Sequence, residues 1–277
     1  MTVAVVVDST ADIPQALRDE YNISVVPLTV LFGNETFLDG VEMTGDQFYK
    51  RLVEGNMHPK TSQPSPGQFV DVFERLGQDH DGIISIHLSG KLSGTVQSAH
   101  QAAELVPNTP IRIVDSGSVS MGIGFLALEA ARMAQAGQSL DQVADQIEVM
   151  AQRAYVWAAL DTLKFLERGG RIGGARAFLG TLLSVKPIIE IRGEVNPAEQ
   201  VRTHRKAMAR LVELAKSQSP YSHIAVMYTT SRQYADEIVG QVQALGGDDQ
   251  IVVAQLTPVL GVYGGPDLVG IAGIRKN

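Results

Sequence analysis

The chain has 277 residues, of which 44% are hydrophobic and 19% are charged, and its formal net charge is -7. This composition is typical of a globular protein with one or two domains and excludes a disordered chain. The negative charge disfavours a nucleic-acid-binding surface, and the absence of cysteine excludes disulfides, zinc–thiolate sites and cysteine nucleophiles.

The first ten residues, MTVAVVVDST, contain no basic segment, and their apolar run is too short for a signal peptide or a membrane span. Later apolar stretches are interrupted by a charge or a proline, as Asp267 interrupts the segment 257–274. We therefore predict a cytoplasmic protein without an integral membrane segment.

Short β-branched and apolar runs predict buried strands. In chain order these runs are TVAVVV (2–7), DGIISIHL (81–88), IRIVD (111–115), YVWAALDTL (155–163), KPIIEI (186–191), HIAVMYT (223–229) and QIVVAQLTP (250–258). Between most of them, apolar residues at helical spacing predict amphipathic helices around Val96–Val106, Leu140–Met150, Ala207–Leu214 and Tyr234–Leu245. Alternating strands and helices predict an α/β fold.

Local signals refine this pattern before the second strand. Gly33 and Asn34 separate two β-rich runs and predict a hairpin at a sheet edge. Capping boxes at Thr44–Gln47 and Ser65–Gln68 predict two helix starts, and the second has Pro66 at the first helical position.

A domain boundary is predicted near residue 154. A capped helix from Ser139 to about Arg153 precedes a new series of strands, so the strand–helix alternation restarts there. The expected division is an N-terminal α/β domain at 1–154 and a C-terminal α/β domain at 155–277.

Ligands of open α/β sheets bind where strands lead into helices, and four loops qualify. In the first, DSTAD (8–12), Ser9 and Asp12 have the spacing of a capping box, and Asp8 either satisfies loop amides or lines the ligand crevice. In the second, LSGKLSG (88–94), we expect Ser93 to cap a helix near Thr95, as a plain cap or as an anion site.

Neither the second nor the third loop is a nucleotide-binding motif. The second departs from a Walker A loop because Leu92 and Ser85 occupy its Ser/Thr and first glycine positions. The third, MGIGFLA (121–127), has the spacing of a dinucleotide fingerprint but does not directly follow its strand, so Gly122 and Gly124 predict close helix packing.

The fourth loop, LKFLERGGRIGGARAF (163–178), combines glycine pairs with four cations: Lys164, Arg168, Arg171 and Arg176. It is consistent with a solvated basic turn or with a lid that contacts an anion. A helix is predicted after it, with an apolar side formed by Phe178, Leu179, Leu182 and Leu183.

Catalytic motifs are absent from the sequence. The histidines at 58, 80, 87, 100, 204 and 223 lack metal-ligand spacing, and no G-x-S-x-G segment occurs. The remaining candidate is Ser93 as a nucleophile with His87 or His100 as its base. Only their proximity in the sequence suggests this pair.

The ordered set of motifs resembles the DegV family of bacterial fatty-acid-binding proteins across essentially the whole chain. The segments are DSTAD (8–12), TSQPSPGQF (61–69), LSGTVQSA (92–99), VDSGSVSMGIG (114–124), GGRIGGA (169–175), KPI (186–188) and VRTHRKA (201–207). Thr61, Ser62 and Gln63 have no local backbone task upstream of the Ser65 cap, and the resemblance gives this loop a role.

The resemblance implies two α/β domains with a long-chain fatty acid, for example hexadecanoate, between them. Thr61 and Ser93 would hold its carboxylate, and the segment 175–183 would form a wall for its tail. Further ligand-binding positions would be Ser62, Gly94, Arg171, Arg202 and Tyr263. The chain would need no cofactor, and would be a carrier that presents the acid to a separate fatty acid kinase.

Two residues depart from the family pattern. The family commonly ends with a segment like G-x-H-x-G-P-G, whereas this chain has Tyr263 at the histidine position and Asp267 at the last glycine. The departure concerns kinase coupling more than fatty-acid binding.

Two alternatives from other classes stay open at this point. An enzyme acting on a small anionic substrate would use Asp8, Arg171 and Arg202 around an interdomain crevice. A regulatory sensor would change its domain closure when a lipid binds.

Overall fold

The structure is a computed structural model that describes residues 2–55, 57–180, 185–246 and 250–276. Its strands are β1 (Val3–Asp8), β2 (Ser24–Val26), β3 (Thr29–Phe32), β4 (Glu35–Leu38), β5 (Lys60–Ser62), β6 (Gly82–His87), β7 (Ile111–Asp115), β8 (Ala154–Ala159), β9 (Lys186–Arg192), β10 (Glu194–Val201), β11 (Tyr221–Tyr228), β12 (Val252–Gln255) and β13 (Val269–Arg275). Its α-helices are α1 (Gln15–Glu20), α2 (Gly45–Glu54), α3 (Pro66–Gly77), α4 (Thr95–Leu105), α5 (Met121–Gln135), α6 (Leu140–Ala151), α7 (Lys164–Arg168), α8 (His204–Ser217), α9 (Arg232–Gln243) and α10 (Pro258–Gly264). Short 3-10 helices span Ser9–Ala11 and Gly173–Phe178.

Within the described residues the strands form three sheets. The first is parallel, with the order β2-β1-β6-β7, and the second is an antiparallel sheet with the order β4-β3-β5. The third has the order β10-β9-β8-β13-β11-β12, and only its β11–β12 pair is parallel. The predicted α/β class is confirmed, with more antiparallel pairing than simple alternation suggests.

Each predicted strand and the hairpin at Gly33–Asn34 are present. The sequence patterns do not predict four further strands, which are β2, β5, β10 and β13. The most important is β13, which lies between β8 and β11 in the six-stranded sheet. Its glycines weaken the β pattern, yet they are required there. A Cβ on Gly270 would lie 2.9 Å from Met227 Cε, and one on Gly273 would lie 2.6 Å from the Tyr221 ring.

The six-stranded sheet begins with β8 at Ala154, close to the predicted boundary. However, α5 contacts both β1 of the parallel sheet and β13 of the six-stranded sheet. The largest cluster of buried side chains likewise runs from Val3 to Ile274 across the two sheets. The division into domains 1–154 and 155–277 stays a prediction.

Helix α5 is buried on nearly all sides, because it lies between the two large sheets. Its glycines allow the close approach that was predicted. A Cβ on Gly122 would lie 3.1 Å from Val156 Cγ2, and one on Gly124 would lie 3.0 Å from the Ala11 carbonyl oxygen.

The predicted capping boxes at Thr44 and Ser65 and the predicted cap at Ser139 are confirmed, and the Ser139 cap is also a capping box. The capping box assigned to Ser9 and Asp12 is wrong. Asp8 caps the short 3-10 helix by accepting from Thr10 N, and Asp12 follows that helix in the left-handed region with φ +51°. The side chains of Ser9 and Asp12 instead make long-range hydrogen bonds.

Two buried carboxylates hold the start of α10. Asp12 Oδ1 accepts a hydrogen bond of 2.8 Å from Thr257 N, and Asp39 Oδ1 accepts one of 3.1 Å from Val259 N. Their second oxygens accept from Ser120 Oγ and Ser9 Oγ, both at 2.6 Å. The N-terminal loops thereby fix a helix more than 200 positions later in the chain.

Burial raises the pKa of Asp12 to about 7 and that of Asp39 to about 6, although the hydrogen bonds that both carboxyls accept act in the opposite direction. The two carboxyls are close enough for the charge of Asp39 to raise the pKa of Asp12 further. Asp8 adds to the raised pKa of Asp39 in the same way.

Helix α10 also packs against α2 through a glycine. A Cβ on Gly261 would lie 2.6 Å from Phe48 Cε1 and 2.8 Å from Tyr49 Cε1. Tyr49 OH donates to the Leu256 carbonyl oxygen at 2.9 Å, immediately before α10. Glycine is therefore needed at position 261 for the two helices to approach.

We expect Gly261→Ala to lower the free energy of unfolding by about 1 to 3 kcal/mol, because the aromatic rings of Phe48 and Tyr49 have to move to admit the methyl group. Urea denaturation followed by circular dichroism measures this change.

The matched control is Gly240→Ala in α9, where a Cβ meets nothing within 4 Å. Alanine should stabilise this exposed helical position by about 0.5 to 1 kcal/mol. Equal effects of the two substitutions would contradict the assigned role of Gly261.

The raised pKa of Asp12 predicts how stability depends on pH. Between pH of about 4 and about 7 the folded protein keeps a proton on Asp12 that the unfolded chain releases, so the free energy of unfolding falls as pH rises. Relative to Asp12→Asn, the wild type should lose up to about 4 kcal/mol across this range, measured by urea denaturation at a series of pH values.

Asp81→Asn is a control for which the pH dependence of stability should have the opposite sign. Hydrogen bonds from Thr2 lower the pKa of the exposed Asp81 carboxyl, so its contribution to stability is present above that pKa and is lost as pH falls. The free energy of unfolding of the wild type should therefore increase relative to that of Asp81→Asn as pH rises. A pH-independent difference between the wild type and Asp12→Asn would contradict the raised pKa of Asp12.

Candidate functional site

A cavity of about 330 Å³ lies where the three sheets and α10 meet. Most of its lining residues are apolar, and β8, β9, β11, β13 and α10 all contribute to its wall. Its polar side chains are Thr61, Ser62, Gln63, Ser93, Ser120, Arg171 and Tyr263. The cavity thus combines hydroxyl groups from distant segments with a long apolar surface.

The loops of Thr61 and Ser93 are fastened to each other by Gln63. Thr61 lies in β5, which pairs with β3, and the chain then passes close to the start of α4. There Gln63 Nε2 donates to Ser98 Oγ at 3.0 Å, and the missing side chain of Gly94 leaves space for the Gln63 amide. Sequence reasoning gave Gln63 no role, since no local pattern indicates its partner in α4.

The hydroxyl groups of Thr61 and Tyr263 form a hydrogen bond of 2.5 Å. The Arg171 guanidinium carbon lies 5.5 Å from the centre of the Tyr263 ring. Arg171 is held there because it donates to the carbonyl oxygens of Leu92 at 3.2 Å and Gly169 at 2.9 Å. An exposed cation is therefore fixed over the polar end of the cavity.

The prediction that Ser93 is the N-cap of α4 is wrong by one position. The N-cap is Gly94, and Ser93 Oγ lies 2.9 Å from Thr95 Oγ1. Because Thr95 can donate within this pair, the Ser93 hydroxyl is able to donate its own proton to a ligand.

The other predicted ligand positions fall in different places. Ser62 is exposed and lines the cavity, whereas Gly94 lines an adjoining polar groove of about 370 Å³ together with Lys91 and Glu194. Arg202 is exposed after β10 and lines neither space. The roles of these residues in binding stay predictions.

The wall of the cavity differs from the expected one. Instead of the expected α-helix, residues 173–178 form a 3-10 helix, and the half-buried Phe178 and Leu179 pack against the main core without lining the cavity. Gly173 has φ +49°, and a Cβ there would lie 2.6 Å from the Val195 carbonyl oxygen, so this segment follows β10 closely. Leu182 and Leu183 lie outside the described residues.

A buried serine, histidine and aspartate occupy β6 and β1. His87 Nε2 lies 2.7 Å from Ser85 Oγ, and His87 Nδ1 lies 3.1 Å from Asp8 Oδ2. All three residues are 0% exposed, so a substrate has no access to the serine. Because the two ring nitrogens of His87 are hydrogen-bonded to Ser85 and Asp8, the pairing of Ser93 with His87 is wrong.

Asp8 acts in this core as an acceptor for loop groups. It accepts from Thr10 N at 3.0 Å and from Leu88 N at 2.9 Å, which confirms one of its two interpretations. It lines a second cavity of about 290 Å³ that is separate in its lining from the one that contains Arg171. The residues of the alternative enzyme are thus not gathered around one space.

Neither a metal centre nor a membrane span is found in the part of the chain that the structure describes. No group of histidine, aspartate and glutamate side chains there is arranged to hold a metal ion. None of the described helices is long and apolar enough to cross a bilayer.

Comparison with known proteins agrees with this architecture. Residues 2–276 match the family model described as "Uncharacterised protein, DegV family". Protein DegV of Bacillus subtilis is 35% identical over 276 residues, which are 98% of this chain and 98% of that protein.

Two solved structures are similar over nearly their whole length. A DegV family protein from Thermus thermophilus, described by its fatty acid binding, has a TM-score of 0.93 and 35% identity and covers 100% of both chains. A stearic acid-binding protein from Eubacterium ventriosum has a TM-score of 0.90 and 26% identity over 99% of this chain and 98% of that one. The resemblance seen in the motifs is confirmed, and the chain belongs to the DegV family.

Proposed function

We propose that this protein binds a long-chain fatty acid, with the carboxylate at Thr61 and Ser93 and the tail along the apolar wall of the cavity. The observation that carries the proposal is a polar end of the cavity, formed by Thr61, Ser93, Arg171 and Tyr263, beside a wall that is mostly apolar. The fatty acid binding described for the Thermus thermophilus and Eubacterium ventriosum proteins supports it.

The tail would supply most of the affinity. Burial of about 15 methylenes at about 0.8 kcal/mol each gives about 12 kcal/mol before the costs of association. Each hydrogen bond to the charged carboxylate would add about 1.5 to 3 kcal/mol. The hydroxyl groups would therefore select the head group and its orientation.

Tyr263 would be the third hydroxyl at the head group. Its hydrogen bond to Thr61 holds it beside the proposed carboxylate position, and Arg171 over its ring supplies positive charge nearby. Ser62 and Gly94 would lie at the rim of this site, and Arg202 would belong to the surrounding surface.

A bound acid would serve as cargo, so the protein would act as a carrier without a cofactor. Ser62 and Arg171 are exposed at the polar end, which leaves the carboxylate accessible to another protein. A separate fatty acid kinase that phosphorylates the carboxylate is the partner in this proposal.

Mass spectrometry of the purified protein tests the proposal directly. Under native conditions we expect a mass excess that corresponds to a fatty acid, and denaturation should remove it. Protein that carries no acid and also fails to bind added hexadecanoate would refute the proposed function.

Substitutions at the head group test the assigned residues. Thr61→Val and Ser93→Ala should each weaken hexadecanoate binding by about 10- to 150-fold, because each removes a hydrogen bond to a charged group. Tyr263→Phe should act in the same direction. Titration calorimetry measures the dissociation constants.

Thr36→Val provides the matched control, since Thr36 is an exposed residue of β4 in the same small sheet as Thr61. It should leave the dissociation constant unchanged. If Thr61→Val and Ser93→Ala also leave it unchanged while the fold is intact, the carboxylate lies elsewhere.

A further inference from the structure

The cavity follows one row of residues across the six-stranded sheet. The strand registers place Ile189, Ala158, Gly270 and Met227 side by side on β9, β8, β13 and β11, and all four line the cavity. Because neighbouring strands are about 4.8 Å apart, this row is about 14 Å long.

The β9 side of the row is the side of the head group. The loop that carries Ser93 is attached to the turn after β9, where Ser89 Oγ donates to the Gly193 carbonyl oxygen. Lys91 and Glu194 form an ion pair of 3.7 Å at the same place. The β11 end of the row therefore lies away from the proposed carboxylate site.

Helix α10 leads to the same assignment. Tyr263, near its C-terminal end, bonds to Thr61 at the polar end of the cavity. Leu256, just before its N-terminal end, donates its amide to the carbonyl oxygen of Tyr228 in β11 at 2.8 Å. Both the sheet and the helix thus place Met227 at the apolar end.

Met227 forms part of the cavity wall at this end. It is 2% exposed, and its Cε lies 2.9 Å from the position that a Cβ on Gly270 would occupy. The absence of a side chain on Gly270 therefore makes the space in which the thioether lies. Ala225 precedes Met227 by two positions and so lies on the same face of β11. It is buried in the core and does not line the cavity.

We propose that Met227 sets the acyl chain length that the cavity accepts, and that Gly270 provides the space in which the Met227 side chain moves. This inference rests on the proposed function. The flexible thioether can change rotamer to admit further methylenes, so the ligand class is a range of unbranched long-chain acids.

Substitutions at the two positions should shift the length preference in opposite directions. One buried methylene is worth about fourfold in the dissociation constant. Met227→Ala removes most of the side chain, so we expect the best ligand to lengthen by about two methylenes and the preference for long over short acids to rise about 16-fold. Gly270→Ala forces Met227 toward the cavity and should favour shorter acids.

The experiment measures dissociation constants for saturated acids of increasing length, from dodecanoate to eicosanoate, with the wild type and each variant. Met208→Ala is the matched control, because Met208 is 5% exposed and packs in the core on the other face of the same sheet. It should preserve the wild-type length profile. Thermal unfolding establishes that each variant is folded.

The outcomes separate this inference from the proposed function. Opposite shifts in Met227→Ala and Gly270→Ala, without a shift in Met208→Ala, would support it. A wild type that binds acids while Met227→Ala retains the same length profile would overturn the inference alone. A wild type that binds none of the acids would overturn both. If Gly270→Ala does not fold, the profile of Met227→Ala decides.

Discussion

The attachment of α10 to two buried carboxylates is the constraint on which the site depends. Asp12 comes from the loop after β1 and Asp39 from the end of β4, and each accepts an amide hydrogen at the start of the helix. The helix then places Tyr263 beside Thr61 at one end of the cavity, while Leu256 lies near β11 at the other. Loss of either carboxylate contact would therefore disturb both ends of the site together.

The six-stranded sheet combines a packed core with a cavity because its two faces are used differently. Tyr155, Trp157 and Ala159 of β8 point to the core beneath α8 and α9, whereas Val156 and Ala158 face the cavity. Both faces are covered at the centre of the sheet, which explains why β8 and β13 are apolar at nearly every position. Small residues on the cavity face leave the volume that larger side chains would otherwise fill.

Much of the fold could be predicted because its signals are local. Buried strands, the hairpin at Gly33 and the cap at Ser65 each depend on neighbours in the sequence. The errors arise where distant contacts decide: Ser9 and Asp12 have the spacing of a capping box, but Asp12 bonds to Thr257. The glycines of β13 are explained by the side chains of another strand. Likewise, Thr61 is proposed as a ligand position only through a family resemblance, while Gln63, which joins its loop to α4, has a partner that no local pattern indicates.

The two ends of the cavity differ in their access to solvent. Ser62 and Arg171 are exposed at the polar end, whereas Met227 is 2% exposed at the apolar end. A fatty acid bound as proposed has a single direction of passage, in which the methyl end enters first and the carboxyl end leaves first. A partner would then reach the head group at the exposed end, while the tail would stay buried until release. In this proposal the protein would set the orientation of the acid before any partner binds.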